Sequence, residues 1–177
     1  MAALAASAAF GAHAQTTDRG YVGAHVGRSD YKLSCGTGAF ACDTRDTSAR
    51  LSLGHYLSPN MGLEMSLFDG GKVSRLGGAT RARSVDLALF GRVPVGPVHA
   101  FAKAGVAHGR TTTSVDPLSA AASGKASGWG PMVGAGLSWD FSKSMALVGE
   151  WERRKLRFAG GEKSNVDNTS LGLRVRF

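Results

Sequence analysis

No stretch of this chain stays apolar for the 18 or more residues that a membrane-crossing helix needs, because charged residues or glycines interrupt every apolar run. If the chain spans a membrane, it does so with strands. Cysteine is scarce, two residues in 177, and two thiols alone make a poor metal site, so no metal or cofactor is expected. Acidic residues are outnumbered, 13 against 21 Lys and Arg, leaving a net charge of +8. That excess suggests an acidic partner such as nucleic acid, anionic headgroups or phosphorylated lipopolysaccharide, with a merely solvated basic surface as the alternative. The basic residues form no stripe interleaved with aromatics, which argues against a single-strand nucleic-acid surface. The 25 glycines follow no three-residue period, which excludes a collagen-like chain and favours tight turns and close strand contacts. A hydrophobic content of 43% excludes a disordered polymer, and the length suits one domain.

The first residues, MAALAASAAFGAHAQ, are a short apolar run ending in the small-x-small pattern Ala12-His13-Ala14. Residues 1–14 are read as an export signal and 15–177 as the mature domain. No Lys or Arg precedes the run, so a start further upstream, or a short core helix, is the competing reading. Export would place Cys35 and Cys42, which lie in one polar segment, in an oxidising compartment where they can pair only with each other. We expect a loop-clamping disulfide there; uptake of an alkylating reagent without prior reduction would refute it.

From Gly20 onward apolar residues recur at every second position, the period that sends alternate side chains to opposite faces of a strand. Eight such segments are predicted: Tyr21 to Gly27, Thr47 to Leu57, Met61 to Phe68, Ser84 to Val93, Val98 to His108, Trp129 to Asp140, Met145 to Arg157 and Thr169 to Phe177. In the second, Ala49, Leu51, Leu53 and Leu57 oppose Arg50, Ser52, Gly54 and Tyr56; in the last, Leu171, Leu173, Val175 and Phe177 oppose Ser170, Gly172, Arg174 and Arg176.

Connection lengths alternate. Short turns fall at Ser58-Pro59-Asn60, Pro94 to Pro97 and Ser142-Lys143-Ser144, and long polar segments at Tyr31 to Asp46, Asp69 to Arg83, Gly109 to Gly128 and Arg157 to Asp167. Outer-membrane barrels alternate short periplasmic turns with long external loops in this way, whereas a soluble lipocalin-like barrel, the alternative, has no reason to. Trp129 and Trp139 lie ten residues apart on one strand face. At about 3.3 Å per residue and a tilt of about 40°, that spans roughly 25 Å along the membrane normal, the height of the band between two aromatic girdles. Trp151 and Phe177 are expected in the same belts. The expected fold is therefore all-β, an eight-stranded antiparallel up-and-down transmembrane barrel.

With strands so placed, the chain from about Gly20 to Phe177 resembles the eight-stranded transmembrane domain of the OmpA-like family of bacterial outer-membrane proteins. The specific stretch is LGHYLSPNMGLEMSLFD, Leu53 to Asp69, with an inward Glu64; YVGAHVG at Tyr21 resembles the family's first strand. The ending SLGLRVRF is similar to the C-terminal strand of such barrels, which implies that Leu171, Leu173, Val175 and Phe177 form the signal read by the barrel-assembly machinery. In the best-known members an inward acid–base contact closes the lumen. Here Glu64 matches, but the partner positions fall on Phe90, Ser138 and Val148. The resemblance also implies the bacterial outer membrane as location, with its lipids and lipopolysaccharide as partners and no nucleic acid.

Eight strands enclose a space just wide enough for side chains to fill. The expected lumen is thus a packed polar core in which Glu64, Asp86 and Glu150 pair with Arg50, Arg92, Lys103 and Arg174, since buried ions without partners cost several kcal/mol each. A network that only holds the structure competes with one whose opening frees a narrow ion path. The histidines at 25, 55, 99 and 108 are scattered over different strands, so no catalytic site is expected. The remaining cations, Lys72, Arg75, Arg81, Arg83, Arg110, Lys125, Lys155, Arg157 and Lys163, are assigned to external loops that could meet lipopolysaccharide phosphates or a host surface. The expected protein is a monomer that stabilises the membrane, with adhesion through the loops as the alternative.

Overall fold

A computed structural model describes residues 19–32, 43–75, 78–114, 123–158, 161 and 163–177. Eight strands run in chain order: β1 (Gly20–Tyr31), β2 (Arg45–Ser58), β3 (Met61–Arg75), β4 (Gly78–Val95), β5 (Val98–Ser114), β6 (Gly124–Asp140), β7 (Met145–Arg157) and β8 (Lys163–Arg176). Each pairs antiparallel with the next, and β1 closes onto β8 with Val22 opposite Val175, leaving no free edge. No helix occurs among the described residues.

Side-chain alternation sorts the two faces. Inward positions are buried, while outward ones form a continuous apolar belt that includes Leu51, Leu53, Leu67, Leu87, Leu89 and Leu137. An apolar patch that encircles a molecule has only lipid to cover it. Close approach of aromatic rings to the inner wall depends on glycine, as at Gly54 and Gly62. A Cβ at Gly54 would lie 2.1 Å from the Tyr21 ring, and one at Gly62 would lie 2.4 Å from the Phe90 ring, so both aromatics lie across strands that carry no side chain there.

Three short connections share one end of the barrel: Pro59-Asn60, Gly96-Pro97 and residues 141–144. Gly96 takes φ +60 in the second, a left-handed conformation that suits glycine in a tight turn. At the opposite end the strands continue well past the apolar belt. β4 runs for 18 residues, against the roughly 9–11 that cross a bilayer. This corrects the loop assignment drawn from sequence. Residues 69–75 and 78–83 are strand, and Gly109 to Ser114 and Gly124 to Gly128 are strand as well. A bulge between Asp69 and Lys72, with Gly71 at φ +76, lets β3 keep pairing beyond the membrane.

Candidate functional site: the lumen and the outer wall

Inward alternation on β2, β3, β4, β5, β7 and β8 brings eight charges to the middle of the lumen. Four carboxylates, Glu64, Asp86, Glu150 and Glu152, meet four cations, Arg50, Lys103, Arg154 and Arg174, and all are buried. Glu64 accepts from Arg50 at 2.9 Å, from Lys103 at 2.8 Å and from the Tyr21 hydroxyl at 2.6 Å, with Arg174 at 3.8 Å. Glu150 contacts Arg50 and lies 3.1 Å from Lys103. Glu152 reaches Lys103 at 2.5 Å and Arg154 at 2.7 Å, and Arg154 passes the chain of contacts to Asp86 at 2.7 Å. The charges cancel, four against four, as burial favours. His25 joins the rim of the network, 3.8 Å from Glu150.

Apolar groups cap this layer on both sides. Toward the short turns, Tyr21, Tyr56 and Phe90 pack as one aromatic cluster, with ring centroids 5.4 to 6.1 Å apart, and Phe101 and Val148 form a second group. Toward the far end, Tyr31, Val73, Met132, Leu156, Phe158 and Val166 fill the bore. Two guanidiniums bridge the layers over aromatic faces, Arg154 over Phe68 at 4.1 Å and Arg174 over Tyr21 at 4.1 Å.

The sequence reading and this arrangement differ at three places, the first being that Glu152, inward by parity, joins the carboxylates. Arg92 shares the inward parity but lies at the turn mouth, where it donates to the Pro59 carbonyl at 2.8 Å and to the Tyr56 hydroxyl at 3.2 Å, away from the carboxylates. Arg154 is missing from the sequence-based network. The signal was available, since 154 continues the inward series 150, 152, but the run Arg153-Arg154-Lys155 reads as solvated charge.

The family model for the outer membrane protein beta-barrel domain matches residues 1–177. The chain belongs to this family. No curated protein is similar enough to match. Among solved structures, the fold is similar to Neisserial surface protein A at TM-score 0.69 and 15% identity, covering 89% of this chain and 97% of that one. The N-terminal β-barrel domain of Pseudomonas aeruginosa OprF matches at TM-score 0.61 and 16% identity, over 90% and 98%. The attachment invasion locus protein Ail of Yersinia pestis matches at TM-score 0.57 and 18% identity, over 90% and 99%.

As a member of the outer membrane protein beta-barrel family, the protein resides in the bacterial outer membrane, and its short-turn end faces the periplasm. Trp129 and Trp139 project outward from β6, 67% and 50% exposed. Trp129 packs against His108 with ring centroids 4.8 Å apart and Trp139 against Phe141 at 6.1 Å, both tilted by 53°. Trp151 projects outward too, but pairs with Ala135, part-way between those two along the ladder. Leu171, Leu173, Val175 and Phe177 all face outward at the closing strand, and the Phe177 main chain bonds with Gly20. Cys35 and Cys42 lie outside the described residues. His25 is buried, His55 is exposed, His99 approaches Asp140 at 3.6 Å and His108 packs outside.

The cations assigned to loops sit largely on the barrel wall. Lys72, Arg81, Arg83, Arg110 and Lys125 are exposed on the outward face of β3 to β6. Lys155, Arg157 and Lys163 are likewise on paired strands, β7 and β8.

Proposed function

We propose that the protein is a plugged barrel that anchors and stabilises the outer membrane and forms no standing channel. The observation that carries this reading is the lumen itself, a charge-balanced layer of eight buried ionised groups between two apolar layers. An ion entering it would have to shed its water, displace packed aromatics and break the ion pairs that hold the charges. Planar-bilayer conductance of the refolded chain, taken from material that migrates anomalously on an unboiled gel, is expected to stay at the level of the protein-free membrane. Discrete single-channel steps would overturn the reading. In the same proposal, Leu171, Leu173, Val175 and Phe177 form the strand that the assembly machinery engages, and Trp129 and Trp139 fix the barrel's depth.

A second reading, contact with an anionic surface outside the cell, is favoured by the exposed cations beyond the belt. Ail, a fold relative, has been crystallised in complex with the heparin analogue sucrose octasulfate, and the cations of this chain offer similar chemistry to a polyanion.

A further inference from the structure

On the wall formed by β3 to β6 the apolar belt stops abruptly. Leu67, Val85 and Val106 are its last members, and beside them Trp129 packs against His108. In the next outward row Arg83 lies directly opposite Arg110, and one further row out Arg81, Thr112 and Lys125 align across three strands. Lys72 pairs with Arg81 from the other side. Like charges placed directly opposite on an antiparallel ladder repel, so the Arg83–Arg110 pair asks for an anion between or above them.

The protein supplies too few anions. Asp69 holds Arg81 at 2.5 and 3.2 Å and Arg83 at 2.9 Å, which orients both guanidiniums but neutralises only one charge. Asp46 is engaged by the backbone N–H groups of Thr47 at 2.7 Å and Lys72 at 2.5 Å. Arg110 and Lys125 have no carboxylate partner among the described residues. Between these side chains runs a groove of about 470 Å³ lined by Lys72, Arg81, Arg83, Arg110 and Lys125.

We propose that this groove binds the phosphate groups of lipopolysaccharide in the outer leaflet, an inference that rests on the membrane-stabilising reading above. The location selects a lipid over a soluble anion. The groove opens sideways, directly above a belt that faces acyl chains, so an occupant with hydrocarbon below and phosphate above contacts both surfaces at once. Asp69 takes the Nε side of Arg81 and Arg83 and fixes both guanidiniums, so their remaining N–H groups meet phosphate oxygens with little left to order. A lateral clamp of this kind ties the barrel to its neighbouring lipids and would be the means by which a plugged barrel stiffens the membrane.

The test is binding of fluorescent lipopolysaccharide to the refolded full chain in neutral detergent, with folding checked by unboiled-gel mobility. Arg83→Gln with Arg110→Gln is expected to weaken binding about 30-fold, roughly fivefold for each cation removed. Arg28→Gln, outward on β1 across the barrel, is expected to leave affinity unchanged. Lipopolysaccharide stripped of its phosphates is expected to bind wild type more weakly than the double variant, which keeps Lys72, Arg81 and Lys125, binds the native lipid. Equal affinity of wild type and double variant, or of native and stripped lipid, would overturn the proposal. So would displacement by inorganic phosphate at concentrations comparable to the lipid, which would mark a soluble-anion site. Conductance of the same samples separates the two readings: channels with lipid binding intact would sink only the plugged barrel, and silence with unaltered binding only the groove.

Discussion

Glu64→Ala is expected to destabilise the barrel by about 3–5 kcal/mol, the range for removing one member of a buried ion network. Glu64 is the shared partner of Arg50, Lys103 and Arg174 and accepts the Tyr21 hydroxyl as well. Without it the lumen carries one uncompensated positive charge. Arg50 and Lys103 keep Glu150 and Glu152, but Arg174 is left with the Tyr56 hydroxyl at 3.5 Å and the faces of Tyr21 and Phe101. By contrast, Lys32→Ala breaks an exposed pair with Asp30 at 2.9 Å at the outer end of β1 and is expected to cost about 0–1 kcal/mol. Urea titration of the refolded protein, read by the mobility difference of unboiled samples, measures both. A loss below about 1 kcal/mol for Glu64→Ala would mean that water already solvates the network. The variant is also expected to remain electrically silent, because the apolar layers above and below Glu64 do not depend on it. Stability and conductance therefore respond differently to the same substitution, which separates a network that holds the wall together from one that gates a path.

Much of this barrel is written in a two-residue period, yet the period carries only part of the information. It marks which face a residue takes wherever lipid is outside, which is why Met145–Arg157 and the start of β5 at Val98 are legible to the residue. Beyond the membrane the hydropathy contrast inverts. On the outer halves of β4 and β5 the outward residues Arg81, Arg83, Arg110 and Thr112 are polar, while Ala82 faces in and Thr111 and Thr113 fill the bore. A search for apolar-out, polar-in alternation reads that inversion as a loop. Parity also says nothing of depth. Arg92 and Arg176 share the inward register with Arg50 and Arg174 but sit at the periplasmic mouth, Arg176 against Asp140. The pairing within the lumen was illegible for a different reason. Glu64 finds Lys103 and Arg174 across the bore rather than on neighbouring strands, and such contacts depend on the strand stagger of the closed barrel, which leaves no local trace in the sequence.

Leu89→Arg is expected to cost about 2–4 kcal/mol when the barrel is unfolded from a bilayer, whereas Thr112→Arg is expected to cost about 0–1 kcal/mol. Both residues face outward, and Leu89 is 53% exposed. The difference is depth. Leu89 sits in the middle of the outward apolar run Val85, Leu87, Leu89, Val93 and Val95 on its own strand, so an arginine there starts near the bilayer midplane. Thr112 shares its row with Arg81 and Lys125, beyond the Trp129–His108 pair, where a guanidinium meets headgroups and water. Both substitutions place the same side chain at an outward strand position, in lipid at one and in headgroups and water at the other. In a soluble barrel of the same topology the two costs would be alike and within about 0.5 kcal/mol, because both side chains would face water in the folded and the unfolded chain. Equilibrium unfolding in phospholipid vesicles and again in short-chain detergent gives the result two ways. Equal costs at the two positions would place the membrane midplane somewhere other than the Leu89 row, and with it would move the boundary at which the Arg83–Arg110 groove meets the lipid phosphates.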